Sequence, residues 1–193
     1  MKENFFARLI MEGRKLAVVS PATKDEAVMA AERLVQKKIY IMEIAYRNPD
    51  CPQLIDDCIR AVRRMVPQMF VAAATVTNVK TAKRALACGA QAIVTPGFNL
   101  KTVRYCLRHK IPVFPGVATP GEIEAAMNMG LHLLKLFPCE VLGGQSYLKA
   151  LLGPYPKVRF IVSGGINADN EAEYLSLKNV ACVSGSYLSR QEK

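Results

Sequence analysis

The 193-residue sequence has no tryptophan, only two histidines (His109 and His132), and no Cys-x-x-Cys or mixed Cys/His spacing. Zinc-binding patterns are thereby excluded, and no metal or other cofactor is expected. The six cysteines, Cys51, Cys58, Cys88, Cys106, Cys139 and Cys182, are scattered and are expected to be thiols rather than a disulfide framework. No apolar run approaches the roughly 18 to 20 residues that cross a bilayer. Met1-Lys2-Glu3-Asn4, followed by Arg8, lacks the apolar stretch of a signal peptide. The expectation is a cytoplasmic chain with no membrane partner. Low-complexity tracts are also missing, and 51% hydrophobic with 22% charged residues excludes disorder and coiled coil. A mass of 21.2 kDa suits one domain spanning 1–193.

Acidic residues are the scarcer charge, 16 against 26 basic, which leaves a net charge of +10. That field favours anionic partners such as nucleic acid, phosphate esters or carboxylates. The basic residues Arg33, Lys37, Lys38, Arg63, Arg64, Lys80, Lys83, Arg84, Arg104, Arg108 and Lys110 are dispersed without interleaved aromatics. They read as solvated helix faces, so no nucleic-acid partner is expected.

What the sequence does contain is alternation. Short apolar, β-branched runs occur at 16–20, 39–44, 69–74, 92–95, 113–115, 133–137, 159–163 and 181–184. Each suits a strand buried on both faces. Amphipathic segments near 24–37, 52–66, 79–88, 100–109, 120–129, 144–152 and 169–178 separate them, with Asn78 and Thr119 as N-caps and Gly89 and Gly130 as stops. Eight β/α units predict a closed (β/α)8, or TIM, barrel rather than an open sheet. An amphipathic segment at 4–11 is expected to plug the barrel's N-terminal end. Only residues 187–193 follow the last strand, so the last outer helix is expected to be rudimentary or missing, leaving a flank for another subunit.

Barrel chemistry gathers at the C-terminal ends of the strands. Those ends carry Glu43 with Arg47 beyond it, Thr75, Thr95-Pro96-Gly97, Pro115-Gly116, Lys135, Ser163-Gly164-Gly165 and Ser184-Gly185-Ser186. Lys135 interrupts the run Leu133-Leu134-Lys135-Leu136-Phe137-Pro138, where a charged ammonium is costly to bury. It is either a nucleophile made neutral by burial or a strand-edge lysine reaching solvent. Glu43 is a lone carboxylate after Ile39-Tyr40-Ile41-Met42, either a general acid/base or a strand-end ion-pair partner. Arg47 has the fork to clamp a carboxylate. Gly164-Gly165 and Gly185-Ser186 fall after the last two strands, where barrels bind phosphate on backbone amides; turn formation is the plainer alternative. Both histidines read as structural, Met127 and Met129 as core filling, and Cys139 as a candidate redox-sensitive thiol.

Taken in order, Glu43 to Arg47, Thr75, Thr95-Pro96-Gly97, Pro115-Gly116, Lys135-Leu136-Phe137-Pro138, Ser163-Gly164-Gly165-Ile166 and Gly185-Ser186 resemble the class I 2-keto-3-deoxy-6-phosphogluconate / 4-hydroxy-2-oxoglutarate aldolases over about residues 9–188. The resemblance implies that Lys135 forms a Schiff base with the keto carbon and that Glu43 shuttles protons. It implies that Arg47 and Thr75 hold the pyruvyl carboxylate, that Pro96 and Phe137 line the pocket, and that Ser163, Gly164, Gly165, Gly185 and Ser186 receive the phosphate end. The partners implied are a small 2-keto acid, a phosphate-bearing substrate and two further copies in a homotrimer. Three features depart from the family. Ala72-Ala73-Ala74 replaces the usual Gly-Ala-Gly, Ser163 replaces a threonine, and the C-terminal helix is missing. The added methyl groups are expected to crowd the substrate or shift Thr75. Arg47 favours the gluconate/hydroxyglutarate type over the galactonate type. The competing readings are a phosphate-binding barrel of another activity, such as an isomerase or a thiamine-phosphate-synthase-like enzyme, and a non-catalytic binding protein.

Overall fold

The computed structural model describes residues 13–47 and 51–190. Strands and helices alternate as β1 (Lys15–Val19), α1 (Lys24–Gln36), β2 (Ile41–Ala45), α2 (Pro52–Met65), β3 (Phe70–Ala74), α3 (Val79–Ala87), β4 (Ala92–Val94), α4 (Leu100–Arg108), β5 (Val113–Phe114), β6 (Gly116–Val117), α5 (Pro120–Met127), β7 (Leu133–Leu136), α6 (Gly144–Leu152), β8 (Arg159–Ser163), α7 (Glu171–Ser176) and β9 (Val180–Gly185), with a final 3-10 turn at Ser186–Ser189. Every strand pair is parallel, and β1 pairs with both β2 and β9. The fold is the expected single-domain (β/α)8 barrel. The expected segment at 4–11 lies outside the described residues.

One strand differs from expectation. The fifth run is split by Pro115, which has no N–H for a ladder, into β5 pairing with β4 and β6 pairing with β7. The barrel still closes there, because the Pro115 carbonyl accepts from the Lys135 N–H at 2.8 Å. Gly116 is required at this seam: a Cβ would strike the Pro96 backbone carbonyl.

The helices form for local reasons that serve the outer wall. In α2, Pro52 supplies the pre-set first turn, and Ile55, Cys58, Ile59 and Val62 repeat at helical spacing and are buried. Burial of each large apolar side chain contributes about 1.5–3 kcal/mol. Asn78 and Thr119 cap α3 and α5 as expected, Thr119 in a reciprocal pair with Glu122; Thr23 and Asn99 cap α1 and α4 by accepting from the Glu26 and Thr102 N–H groups. Gly89 and Gly130 follow helices at φ 99° and 76°, where glycine carries no steric penalty. Met127 and Met129 pack partly buried against the outer core, as expected.

Inside, the side chains stack in layers contributed by alternate strands, because the ladder climbs by about eight residues in one circuit of such a barrel. From the N-terminal end, the first layer is Ile41, Ala92, Leu133 and Cys182, and the second is Leu16, Ala72, Phe114 and Ile161, all apolar. The third is Glu43, Val94, Lys135 and Ser184, and the fourth is Val18, Ala74, Gly116 and Ser163. The change from a wholly apolar floor to a layer holding Glu43, Lys135 and Ser184 positions the site.

Candidate active site

Glu43 and Lys135 occupy the same layer on opposite walls, β2 and β7, and their side chains meet across the barrel with Nζ 2.8 Å from Oε2. Lys135 is 7% exposed and Glu43 fully buried. Lys135 is thus not the solvent-reaching lysine that the sequence allowed, and Glu43 is its buried ion-pair partner. Each charge makes the other tolerable in a medium where either alone would be strongly disfavoured. Oε1 of Glu43 is buried and engages no donor among the described residues. The Phe137 ring lies beside the ammonium, with Nζ 6.0 Å from its centroid, within cation–π range.

The other expected site residues sit at or just beyond the strand ends. Two residues on from Glu43, Val94, Lys135 and Ser184 come Ala45, Pro96, Phe137 and Ser186, so one wall continues toward the mouth. Arg47, two residues after β2, is exposed. Thr75 follows β3 at φ 58°, in the left-handed region, where a β-branched residue carries strain of order 1–3 kcal/mol. Ser163 is buried in the fourth layer, while Ser186 is exposed. The Thr95 hydroxyl donates to the Gly97 carbonyl at 2.7 Å and accepts from the Gly116 N–H at 3.2 Å, locking the turn that carries Pro96.

Gly164 and Gly165 have φ of 93° and 88°. Their turn is latched to the one after β7, since Cys139 and Glu140 N–H groups donate to the Ser163 and Gly164 carbonyls at 2.8 and 3.0 Å. A Cβ on Gly165 would collide with the Glu140 side chain, and one on Gly185 would meet the Tyr187 ring at 2.6 Å. Close approach thus requires these glycines, whatever else the turns hold. The Ala72–Ala74 run divides between faces: Ala72 points into the second layer and Ala74 into the fourth, while Ala73 packs outward. One added methyl therefore faces the mouth and the other the floor.

Cys139 is buried, and burial pushes its thiol up to about 11, which removes the thiolate that redox sensing requires. No disulfide joins the six cysteines. His132 is exposed ahead of β7, and His109 caps α4 with Nδ1 2.8 Å from the Tyr105 carbonyl. Among the described residues no three potential ligands cluster for a metal ion, and no helix is long and apolar enough to cross a membrane.

Two features were not anticipated. Ser184, read with the glycine turn, lies in the Lys135 layer; the alternation that turns Cys182 inward and Val183 outward marks it as inward too. Outside the barrel, the Asp56 carboxylate accepts from Tyr46 at 2.7 Å and from Arg84, and Arg84 also donates to Gln53 at 2.9 Å. Nothing local in the sequence announces that network.

A closed parallel barrel with an amine and a carboxylate opposed beneath its open end belongs to the class of barrel enzymes that act on carbonyl compounds. Residues 7–193 match the family described as aldolase, KDPG and KHG aldolase. The 2-dehydro-3-deoxy-phosphogluconate aldolase of Treponema pallidum is 38% identical over 175 residues, covering 91% of this chain and 81% of that protein. A KDPG aldolase from Legionella pneumophila, solved with pyruvate captured at low pH as a covalent carbinolamine intermediate, superposes with a TM-score of 0.85 at 32% identity, covering 90% of this chain and 82% of that one. The aldolase of Zymomonas mobilis ZM4 with 3-phosphoglycerate gives 0.88 at 28% identity, covering 97% and 88%. The chain belongs to the KDPG and KHG aldolase family, and it is a carbon–carbon lyase.

Proposed function

We propose that this chain cleaves 2-keto-3-deoxy-6-phosphogluconate to pyruvate and glyceraldehyde 3-phosphate, and 4-hydroxy-2-oxoglutarate to pyruvate and glyoxylate, through an imine on Lys135. The buried Lys135–Glu43 pair carries this reading. At 2.8 Å the ammonium gives a proton to Glu43, and the neutral amine adds to C2 of the substrate. The C2 oxygen takes a proton and leaves as water with a second one returned by Glu43, while the nitrogen lone pair forms the protonated imine. Glu43, again a carboxylate, removes the C4 hydroxyl proton. The C3–C4 bond breaks, its electrons enter the imine to give an enamine, and the aldehyde departs. Glu43 protonates C3, and hydrolysis of the imine frees pyruvate and the lysine.

Arg47 and the strained Thr75 hold the pyruvyl carboxylate, the guanidinium through two parallel hydrogen bonds. Pro96 and Phe137 line the cavity between them and Lys135. Ser163, Gly164, Gly165, Gly185 and Ser186 take the phosphate; the Zymomonas relative was solved with a phosphorylated acid, 3-phosphoglycerate. The working molecule in this reading is a cytoplasmic homotrimer, which light scattering on the purified protein checks.

The deciding experiment is incubation with pyruvate and borohydride, then intact mass and peptide mapping. A reduced pyruvyl adduct on Lys135 is the expected result. Folded protein without an adduct overturns the imine mechanism.

A further inference from the structure

Four buried side-chain polar atoms engage no protein partner among the described residues: Arg33 Nε, Thr102 Oγ1, Glu43 Oε1 and Ser184 Oγ. The first two belong to α1 and α4 outside the barrel. The last two are on the inner wall, in the layer that holds Lys135. Ser184 is fully buried. Its ladder neighbours are Leu16 below and Ser163 above, so its hydroxyl lies at the boundary between the apolar floor and the mouth. A hydroxyl buried without a partner is worse for the empty protein than a methyl group of the same size. Its presence beside an amine and a half-engaged carboxylate points to a partner that arrives with the substrate.

We propose that Ser184 is a further catalytic residue, whose hydroxyl donates a hydrogen bond to the C2 oxygen of the keto substrate as Lys135 adds to it. Addition forms the N–C2 bond and moves the carbonyl π electrons onto that oxygen. Charge therefore develops on the oxygen attached to the carbon that Lys135 holds. Among the described residues the Ser184 hydroxyl has no hydrogen bond that must first be broken, so it stabilises that charge without reorganisation. It keeps its own proton throughout. The two protons that the oxygen acquires both start on the lysine nitrogen and pass by way of Glu43, and the oxygen leaves as water. Glu43 thus moves protons, and Ser184 holds the oxygen while they move.

This inference rests on the imine mechanism, and its test separates the two. Ser184→Ala and Ser184→Gly both remove the hydroxyl. Three quantities are read at saturating pyruvate: the rate of borohydride trapping, the rate of hydrogen exchange at the pyruvate methyl group, and the thermal midpoint. Both variants are expected to slow trapping and exchange by about ten- to a hundredfold, the scale of one donor to a developing charge. Ser184→Ala is expected to melt no lower than the parent. Saturated rates equal to the parent's overturn the proposal. So does a defect that disappears at saturating pyruvate, which assigns the hydroxyl to ground-state binding. A parent protein that forms no adduct overturns instead the mechanism on which the inference rests.

Discussion

Glu43 on the inner wall and Asp56 on the outer one are both buried carboxylates facing a cation, and they are completed differently. Asp56 has both oxygens engaged, by the Tyr46 hydroxyl and by Arg84, whose guanidinium is held in turn by Gln53. Glu43 has one oxygen on Lys135 and the other on no donor among the described residues. The cations differ in kind as well. Arginine's planar fork suits a fixed joint, whereas lysine is a compact point charge on a flexible stem. Burial and pairing alone therefore do not separate a working carboxylate from a structural one. A hydrogen-bonding position left open does, because the free protein carries its cost without return until a ligand fills it.

The comparison breaks most visibly at the inner pair. Lys135→Ala is expected to lower cleavage by at least about a thousandfold, the scale on which covalent nucleophiles matter. It also leaves the Glu43 charge uncompensated and costs about 3–5 kcal/mol of stability, read by denaturant unfolding. Glu43→Gln keeps an acceptor for the lysine but cannot carry a proton. Its expected loss is about 10²- to 10⁴-fold in kcat, and the unfolding midpoint also falls, because the buried Lys135 charge loses its counter-charge. Asp56→Asn separates the two effects: kcat per folded molecule is retained, and stability falls by about 1–2 kcal/mol. That cost stays at the low end because the Arg84 side chain is about a third exposed and finds water. Loss of kcat at unchanged stability in Asp56→Asn would make the outer carboxylate a working group.

Alkaline titration sharpens the same contrast between sealed and open polar groups. Burial pushes the thiols of Cys58, Cys106 and Cys139 up to about 11, from 9.0 when solvated. Burial and the Asp56 acceptor also raise the Tyr46 hydroxyl. The folded state binds these protons more tightly than the unfolded state, so stability falls where the unfolded chain has lost them and the folded one has not. The contribution is complete below pH 9 and is lost as pH rises from about 9 to about 11. Denaturation midpoints measured across that window are expected to decline steadily, and a flat profile would show that these groups are solvated.

Much of this organisation was legible in the residues. The eight apolar runs predicted the barrel because parallel strands covered on both faces have almost no polar positions, which also made Lys135 and Glu43 conspicuous. The same regularity concealed Ser184: it adjoins Gly185 and Ser186, and the three read together as a turn until the inward setting of Cys182 fixes its direction. Pro115 was visible, but its effect depends on which neighbours lack a donor. Asp56 meets Tyr46 and Arg84 across 10 and 28 residues, and no periodicity encodes such a meeting.

The smallest effect tests where on the inner wall function begins. Ala72 and Ala74 are identical residues on one strand, both inward and both buried, two layers apart. Ala72 lies with Leu16, Phe114 and Ile161, where a lost methyl leaves a gap that close-packed neighbours fill poorly. Ala72→Gly is expected to cost about 1–2 kcal/mol and to leave kcat/KM unchanged. Ala74 lies with Gly116 and Ser163 and directly precedes the strained Thr75. Ala74→Gly removes a methyl from the wall the substrate must pass. Its stability cost is about 0.5–1 kcal/mol, and kcat/KM for the phosphorylated substrate is expected to rise by up to about tenfold, the worth of one methyl group in a pocket. Equal effects of the two substitutions on kcat/KM would mean that the floor and the mouth respond as one unit. An effect confined to Ala74 would place the boundary of the site at the layer shared by Glu43, Lys135 and Ser184.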